Sequence, residues 1–126
     1  MANVKLGVSE KRPFYYPDVM VTGDERDRRA TKVIYHPCLV MEVLSPGTEA
    51  FNRGKKFKNY CDISTLKEYV LIDAREMTVE CFRLKENGFW ELCNYGEGDE
   101  VTLTSVDLSF PIEMLYEDVF LEEEEE

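Results

Sequence analysis

Apolar and polar positions along the chain follow two distinct periods. Cys38-Leu-Val-Met-Glu-Val-Leu44 is a nearly unbroken apolar run closed by Ser45-Pro46-Gly47, the pattern of a strand buried on both faces at the centre of a sheet. Leu66 to Asp73 reads the same way. Between them the period lengthens. From Thr48 to about Cys61, Phe51, Phe57, Tyr60 and Cys61 recur at near-helical spacing, after Pro46 and Gly47 break the strand and Ser45 or Thr48 offers a cap. Strand, helix, strand in this order predicts a parallel pair joined by a right-handed crossover.

On either side the pattern is that of strands. Phe14 to Thr22 is rich in β-branched and aromatic residues and stops at Gly23, predicting one strand that begins near Tyr15, with Pro17 at its start or on an edge. Asp24 to Arg29 has no apolar period and reads as a solvated loop. Thr78 to Leu84 alternates, Glu86-Asn87-Gly88 supplies a turn, and Phe89 to Cys93 follows as the hairpin partner. Glu100 to Thr104 is a further strand and Ile112 to Val119 a last helical turn. The expected fold is α/β, a mixed β-sheet with one main crossover helix and no internal repeat. Residues 1–119 are expected to form a single domain, and residues 120–126 a disordered acidic tail.

Composition narrows the class. A chain of 126 residues, 44% hydrophobic, has enough apolar material for one modest core. No apolar run approaches the ~20 residues that span a bilayer, and the start has no apolar stretch of signal-peptide length, so a cytoplasmic location is expected. Cys38, Cys61, Cys81 and Cys93 form no C-x-x-C pair, which argues against zinc; they read as reduced, small core residues. Net charge is −11, of which Glu122 to Glu126 carry five charges. An acidic chain is a poor general binder of phosphate backbones, so any nucleic-acid contact is expected at the densest basic cluster, Arg53-Gly-Lys55-Lys56-Phe-Lys58.

Three residues stand out as candidate chemistry. Glu42 interrupts an apolar strand and Asp18 follows Pro17 at the start of another; a buried carboxylate is costly unless paired, hydrogen-bonded or on a metal. On neighbouring strands the two could converge on a hard cation such as Mg²⁺ and activate water for phosphodiester attack. Lys56 could then stabilise charge developing on the phosphate. By its spacing it shares a helix face with Arg53 and Tyr60, while Lys55 lies ~100° round and is expected in solvent. Plainer readings stand beside these: Glu42 as a structural carboxylate paired with Arg53 or a backbone amide, Asp18 as a turn residue, Lys56 as an exposed helix lysine. Gly47 and Gly54-Lys55 do not make a phosphate loop, because six residues separate the glycines and no Ser or Thr follows the lysine. His36, before Pro37, reads as an extended boundary residue.

The blocks Tyr15-Tyr-Pro-Asp-Val-Met-Val21, His36-Pro-Cys-Leu-Val-Met-Glu-Val-Leu-Ser-Pro46 and Thr48-Glu-Ala-Phe-Asn-Arg-Gly-Lys-Lys-Phe57, with Tyr60 and Glu68-Tyr-Val-Leu-Ile72, resemble the Uma-two family of putative restriction endonucleases. The resemblance runs from about Val4 to Val119. It implies a restriction-endonuclease-like fold of the PD-(D/E)xK superfamily, Asp18 and Glu42 as ligands of Mg²⁺ or Mn²⁺, Lys56 as the site lysine, and DNA as substrate. Leu44 stands where the usual superfamily motif has its lysine, which the family places on the next helix. Asn52 and Lys55 replace acidic residues at positions expected on the helix surface. The family pattern begins further upstream, which implies an N-terminally truncated copy; the alternative function is therefore a catalytically inactive module that self-associates, as a homodimer, through exposed strand edges.

Overall fold

The computed structural model describes residues 5–8, 14–15, 17–27 and 33–117. Ten strands appear in this order: β1 (Lys5–Gly7), β2 (Phe14–Tyr15), β3 (Val19–Val21), β4 (Val33–Ile34), β5 (Leu39–Leu44), β6 (Glu68–Asp73), β7 (Thr78–Leu84), β8 (Trp90–Gly96), β9 (Glu100–Leu103) and β10 (Leu108–Pro111). One continuous helix, α1 (residues 49–60), joins β5 to β6; its middle, Asn52–Lys56, is wound as a π-helix between α-helical ends Glu49–Phe51 and Phe57–Tyr60.

The main sheet has the order β3-β5-β6-β7-β8. Its centre is the predicted parallel pair, β5 on β6, in register from Leu39↔Glu68 to Leu44↔Asp73; the other three pairings are antiparallel. This is a mixed α/β sheet with a single main helix, as the pattern predicted. Alternation along the strands sorts side chains to two faces. Val40, Leu44, Tyr69 and Leu71 pack under α1 with Tyr60, Ile63 and Leu66. Leu39, Val70, Val79 and Cys81 face the other way, covered by Val101 and Leu103 of the β9–β10 ribbon and by Ile112 and Tyr116 of a closing 3-10 turn.

Several expectations need correction. The stretch Phe14 to Thr22 is two strands in different sheets: β2 pairs with β1, β3 with β5, and the chain breaks between them at Pro17 and Asp18, where proline cannot serve a ladder. The small sheet β2-β1-β4 had no legible pattern. Gly7 is needed there, since any Cβ would collide with the ring of Tyr35. The loop after Gly23 is not wholly solvated. Glu25–Asp27 forms a 3-10 turn, and buried Asp27 accepts bonds from Thr22 Oγ1 (2.8 Å) and from the Tyr35 (3.1 Å) and His36 (2.9 Å) N–H groups. His36 is accordingly held through its backbone. Of the cysteines only Cys81 is fully buried, and all four are free thiols. The expected acidic tail lies outside the described residues.

Opposite the helix, β6 opens with another buried acid. Glu68 is fully buried and accepts bonds from Arg83 Nε (2.9 Å), Cys81 Sγ (3.4 Å) and the Ser105 N–H (2.7 Å). Burial alone would raise its pKa; the bonds from Ser105 and Arg83 outweigh it and hold the carboxyl below the usual glutamate range. A depressed folded-state pKa adds stability above the unfolded value, which is lost as pH falls through the folded one. Arg83→Met should cost about 3–5 kcal/mol at neutral pH by leaving that charge unpaired. Urea unfolding across pH should show that deficit relative to wild type shrinking as pH falls, because protonation of Glu68 removes the stranded charge.

Candidate active site

The site forms where β3 gives out against β5. The antiparallel register Val19↔Met41 continues backward to set Asp18 across from Glu42. Beyond Val19 no β3 backbone serves the Val43 N–H, and the exposed Asp18 carboxylate takes over: its Oδ2 accepts that N–H at 2.8 Å. One oxygen of Asp18 is thereby fixed to the backbone of the strand that carries Glu42.

Glu42 lies on the helix-facing side of β5, between Val40 and Leu44, and is only 3% exposed. Two groups meet its charge. Lys56 Nζ approaches Oε1 at 2.5 Å, and the Tyr69 hydroxyl donates to Oε2 at 2.7 Å. The lysine is itself enclosed, with its side chain 12% exposed and its ammonium 5.4 Å from the Tyr15 ring centre and 5.8 Å from that of Phe51. Both ring faces favour a cation. Lys56 is therefore no solvated surface lysine, and Glu42 is not paired with Arg53, the partner that spacing had offered.

The π-helical segment explains the second point. Winding one extra residue into a turn shifts the phase of everything after it, so Arg53 and Lys56 part company. Arg53 turns to Glu49 (3.1 Å) on its own helix and to Glu80 on β7, while Lys56 reaches over β5. A π turn also disturbs the ladder of helix carbonyls, and here the Asn52 carbonyl is met by Tyr69, whose hydroxyl lies 3.2 Å away. Tyr69 thus ties the irregular turn of the helix to the acid on the strand. Of the basic cluster, Lys55 and Lys58 are exposed.

Three contributors were missed in the sequence. Tyr69 sits in an aliphatic strand, and its signal was the rule that a buried tyrosine finds a partner for its hydroxyl. Tyr60 is fully buried, and its hydroxyl has no hydrogen-bond partner. Burial pushes both phenols well up, and the negative charge of Glu42 adds to the effect in each case. Asn52 was expected on the helix surface but is 3% exposed, and its Oδ1 has no partner; the π turn carries it inward.

As a cation site the pair is spare. Among the described residues no group of three or more His, Cys, Asp or Glu side chains could hold a metal ion. Asp18 and Glu42 offer hard oxygen donors only, a set that suits an ion such as Mg²⁺, which usually keeps several waters. No helix of the described residues is long and apolar enough to cross a membrane.

Known proteins share the family and the fold. The Uma2 family model, described as "Putative restriction endonuclease", matches residues 1–113. Two proteins of Synechocystis sp. are similar in sequence. Uncharacterized protein slr1290 is 37% identical over 115 residues, covering 91% of this chain and 60% of its own length; uncharacterized protein sll1609 is 32% identical over 104 residues, covering 80% and 59%. The chain thus spans about 60% of the curated relatives it matches. A solved structure from Anabaena variabilis, titled a putative nuclease belonging to DUF820, superposes with a TM-score of 0.69 at 17% identity, over 95% of this chain and 68% of that one. At that identity it establishes the shared fold.

The buried pair makes a stability prediction. Lys56→Met should destabilise the protein by about 3–5 kcal/mol, because it strands the Glu42 charge. The double variant Lys56→Met, Glu42→Leu should recover most of that loss in denaturant unfolding.

Proposed function

This chain belongs to the Uma2 family, and we propose that it carries the site of a metal-dependent endonuclease that hydrolyses DNA phosphodiester bonds. The observation that carries the reading is the buried Glu42–Lys56 pair standing across a strand from Asp18. Two acids and a lysine at one strand end are the parts that hydrolysis of a phosphodiester needs. Mg²⁺ or Mn²⁺ held by Asp18 and Glu42 would supply Lewis acidity at the phosphoryl oxygen and acidify the attacking water.

The chain's own groups divide the remaining work. The Val43 N–H fixes one oxygen of Asp18 and leaves the other for a ligand. Tyr69 holds Glu42 in one rotamer by its Oε2. Lys56, packed between two rings, keeps a cation beside the acids where it can donate to a non-bridging phosphate oxygen or orient the water. Exposed Lys55 and Lys58 lie on the same helix and suit contacts to the phosphate backbone, which position a nucleic acid without reading its sequence. Each such contact releases counterions, so the binding should weaken as salt rises.

Calorimetric titration with Mn²⁺, followed by plasmid nicking on the same samples, tests the reading. The wild type should bind and nick, and Asp18→Ala and Glu42→Ala should do neither. Lys56→Ala should retain metal binding while nicking falls by about 10²-fold or more, the scale of losing one transition-state donor. A wild type that neither binds nor nicks would mark the chain as a non-catalytic module.

A further inference from the structure

Two cysteines face each other across the β7–β8 hairpin. The antiparallel register sets Cys81 directly opposite Cys93, so both side chains project from one face of the sheet. The Lys85 N–H donates to the Phe89 carbonyl at 2.8 Å, and bonded pairs recur at every second position from there. Arg83 and Glu91 form the next such pair, and Cys81 and Cys93 the one after. The Cα atoms of a bonded pair lie about 5.5 Å apart, inside the ~4.4–6.8 Å range that a disulfide spans. One side chain also touches both sulfurs: the Arg83 guanidinium reaches Cys93 Sγ through Nη1 and Cys81 Sγ through Nη2, each at 3.7 Å.

The pair is uneven in a way that orders its chemistry. Cys81 is fully buried and donates its S–H to Glu68 Oε2 at 3.4 Å. Burial and the Glu68 charge push this thiol up to about 12, so it is not the sulfur that meets an oxidant first. Cys93 is half-buried, on the edge strand of the sheet. We propose that Cys81 and Cys93 form a redox modification site, a dithiol that a small-molecule disulfide converts to a cross-strand disulfide in the folded protein. Cys93, as its thiolate, attacks one sulfur of the oxidant and expels the other as a thiolate. Cys81 then attacks Cys93 Sγ, forming the S–S bond and expelling the second half of the oxidant. Two electrons pass from the protein sulfurs to the oxidant's S–S bond, and the two thiol protons end on the two departing thiolates. Arg83 faces both sulfurs with a positive charge, which stabilises the negative charge they share during exchange. The Cβ atoms of facing residues lie about 4.5–5.5 Å apart, whereas a disulfide draws them to about 3.8 Å. The bond therefore forms under strain and is readily reduced, which makes the modification reversible.

Oxidised glutathione, applied to the folded full chain without denaturant, tests the proposal when the product is read residue by residue by mass spectrometry of unreduced peptides. In the wild type the peptides carrying Cys81 and Cys93 should emerge joined, lighter than their sum by two hydrogen atoms, and dithiothreitol should separate them. Cys81→Ser should instead retain glutathione on Cys93, trapping the first step. Cys93→Ser should leave Cys81 a free thiol. A wild type that keeps glutathione on Cys93, keeps both thiols free or joins either of them to another cysteine would overturn the proposal. So would a Cys81–Cys93 bond that forms only in urea, because the native register would not be its cause. The wild-type result stands without the variants, so their folding does not decide it.

Discussion

The structure turns on one buried charge. Glu42 lies in the parallel strand at the heart of the sheet, 3% exposed, where removing a carboxylate from water costs several kcal/mol after relaxation. That cost is met from two directions, by an ammonium from the helix and a hydroxyl from the next strand. Meeting it constrains the rest. The helix must start directly after β5, must pass back over it, and must be wound so that Lys56, rather than Arg53, arrives at the acid. Leucine at position 42 would fill the same space without these demands, since a buried ion pair rarely gains stability over an apolar substitute. What the arrangement does provide is a charged pair held in fixed geometry at a strand end, which is the property the proposed chemistry uses.

The opposite face of the sheet repeats the device for a different end. Glu68 and Arg83 pair across β6 and β7, and Arg83 also reaches the Thr102 carbonyl at 2.6 Å, joining the β9–β10 ribbon to the sheet. Tyr116 gathers the carbonyls of Asp73, Glu76 and Thr78, the first at 2.6 Å, and so pins the β6–β7 turn. With this face tied down, the strand carrying Tyr69 cannot shift easily under the helix. Small displacements matter at such a site, where a supporting group has to hold its partner to within about 0.5 Å.

Much of this was legible in the sequence, and what escaped has physical reasons. The buried runs of β5 and β6 announced the parallel pair, because only a strand covered on both faces can be apolar throughout. Glu42 and Asp18 were visible as carboxylates out of place. Lys56 was legible only by its distance along the helix, and that same helical arithmetic wrongly joined it to Arg53, because no local pattern signals a π turn. Asn52 went inward for the same reason. Strands of two or three residues, such as β2 and β4, are too short to carry a period. Tyr60 and Tyr69 were hidden by being aromatic: in a pattern of apolar positions a tyrosine counts as core, and its oxygen appears only once its neighbours are known.

The contacts that build the site join segments far apart in the chain. Asp18 meets Val43 across 25 positions and Tyr69 meets Glu42 across 27, whereas β6, β7 and β8 form a meander of sequence neighbours. Loop closure has to precede a long-range contact, so local pairings form at lower entropic cost. The meander is therefore the natural first structure, with the helix and β3 closing onto it afterwards. A chain that assembles its acids last also opens there first, and amide exchange along β3 and β7 reads that order. The strand end that carries the two acids would then be the least cooperative part of the protein, free to breathe while the sheet beneath it stays folded.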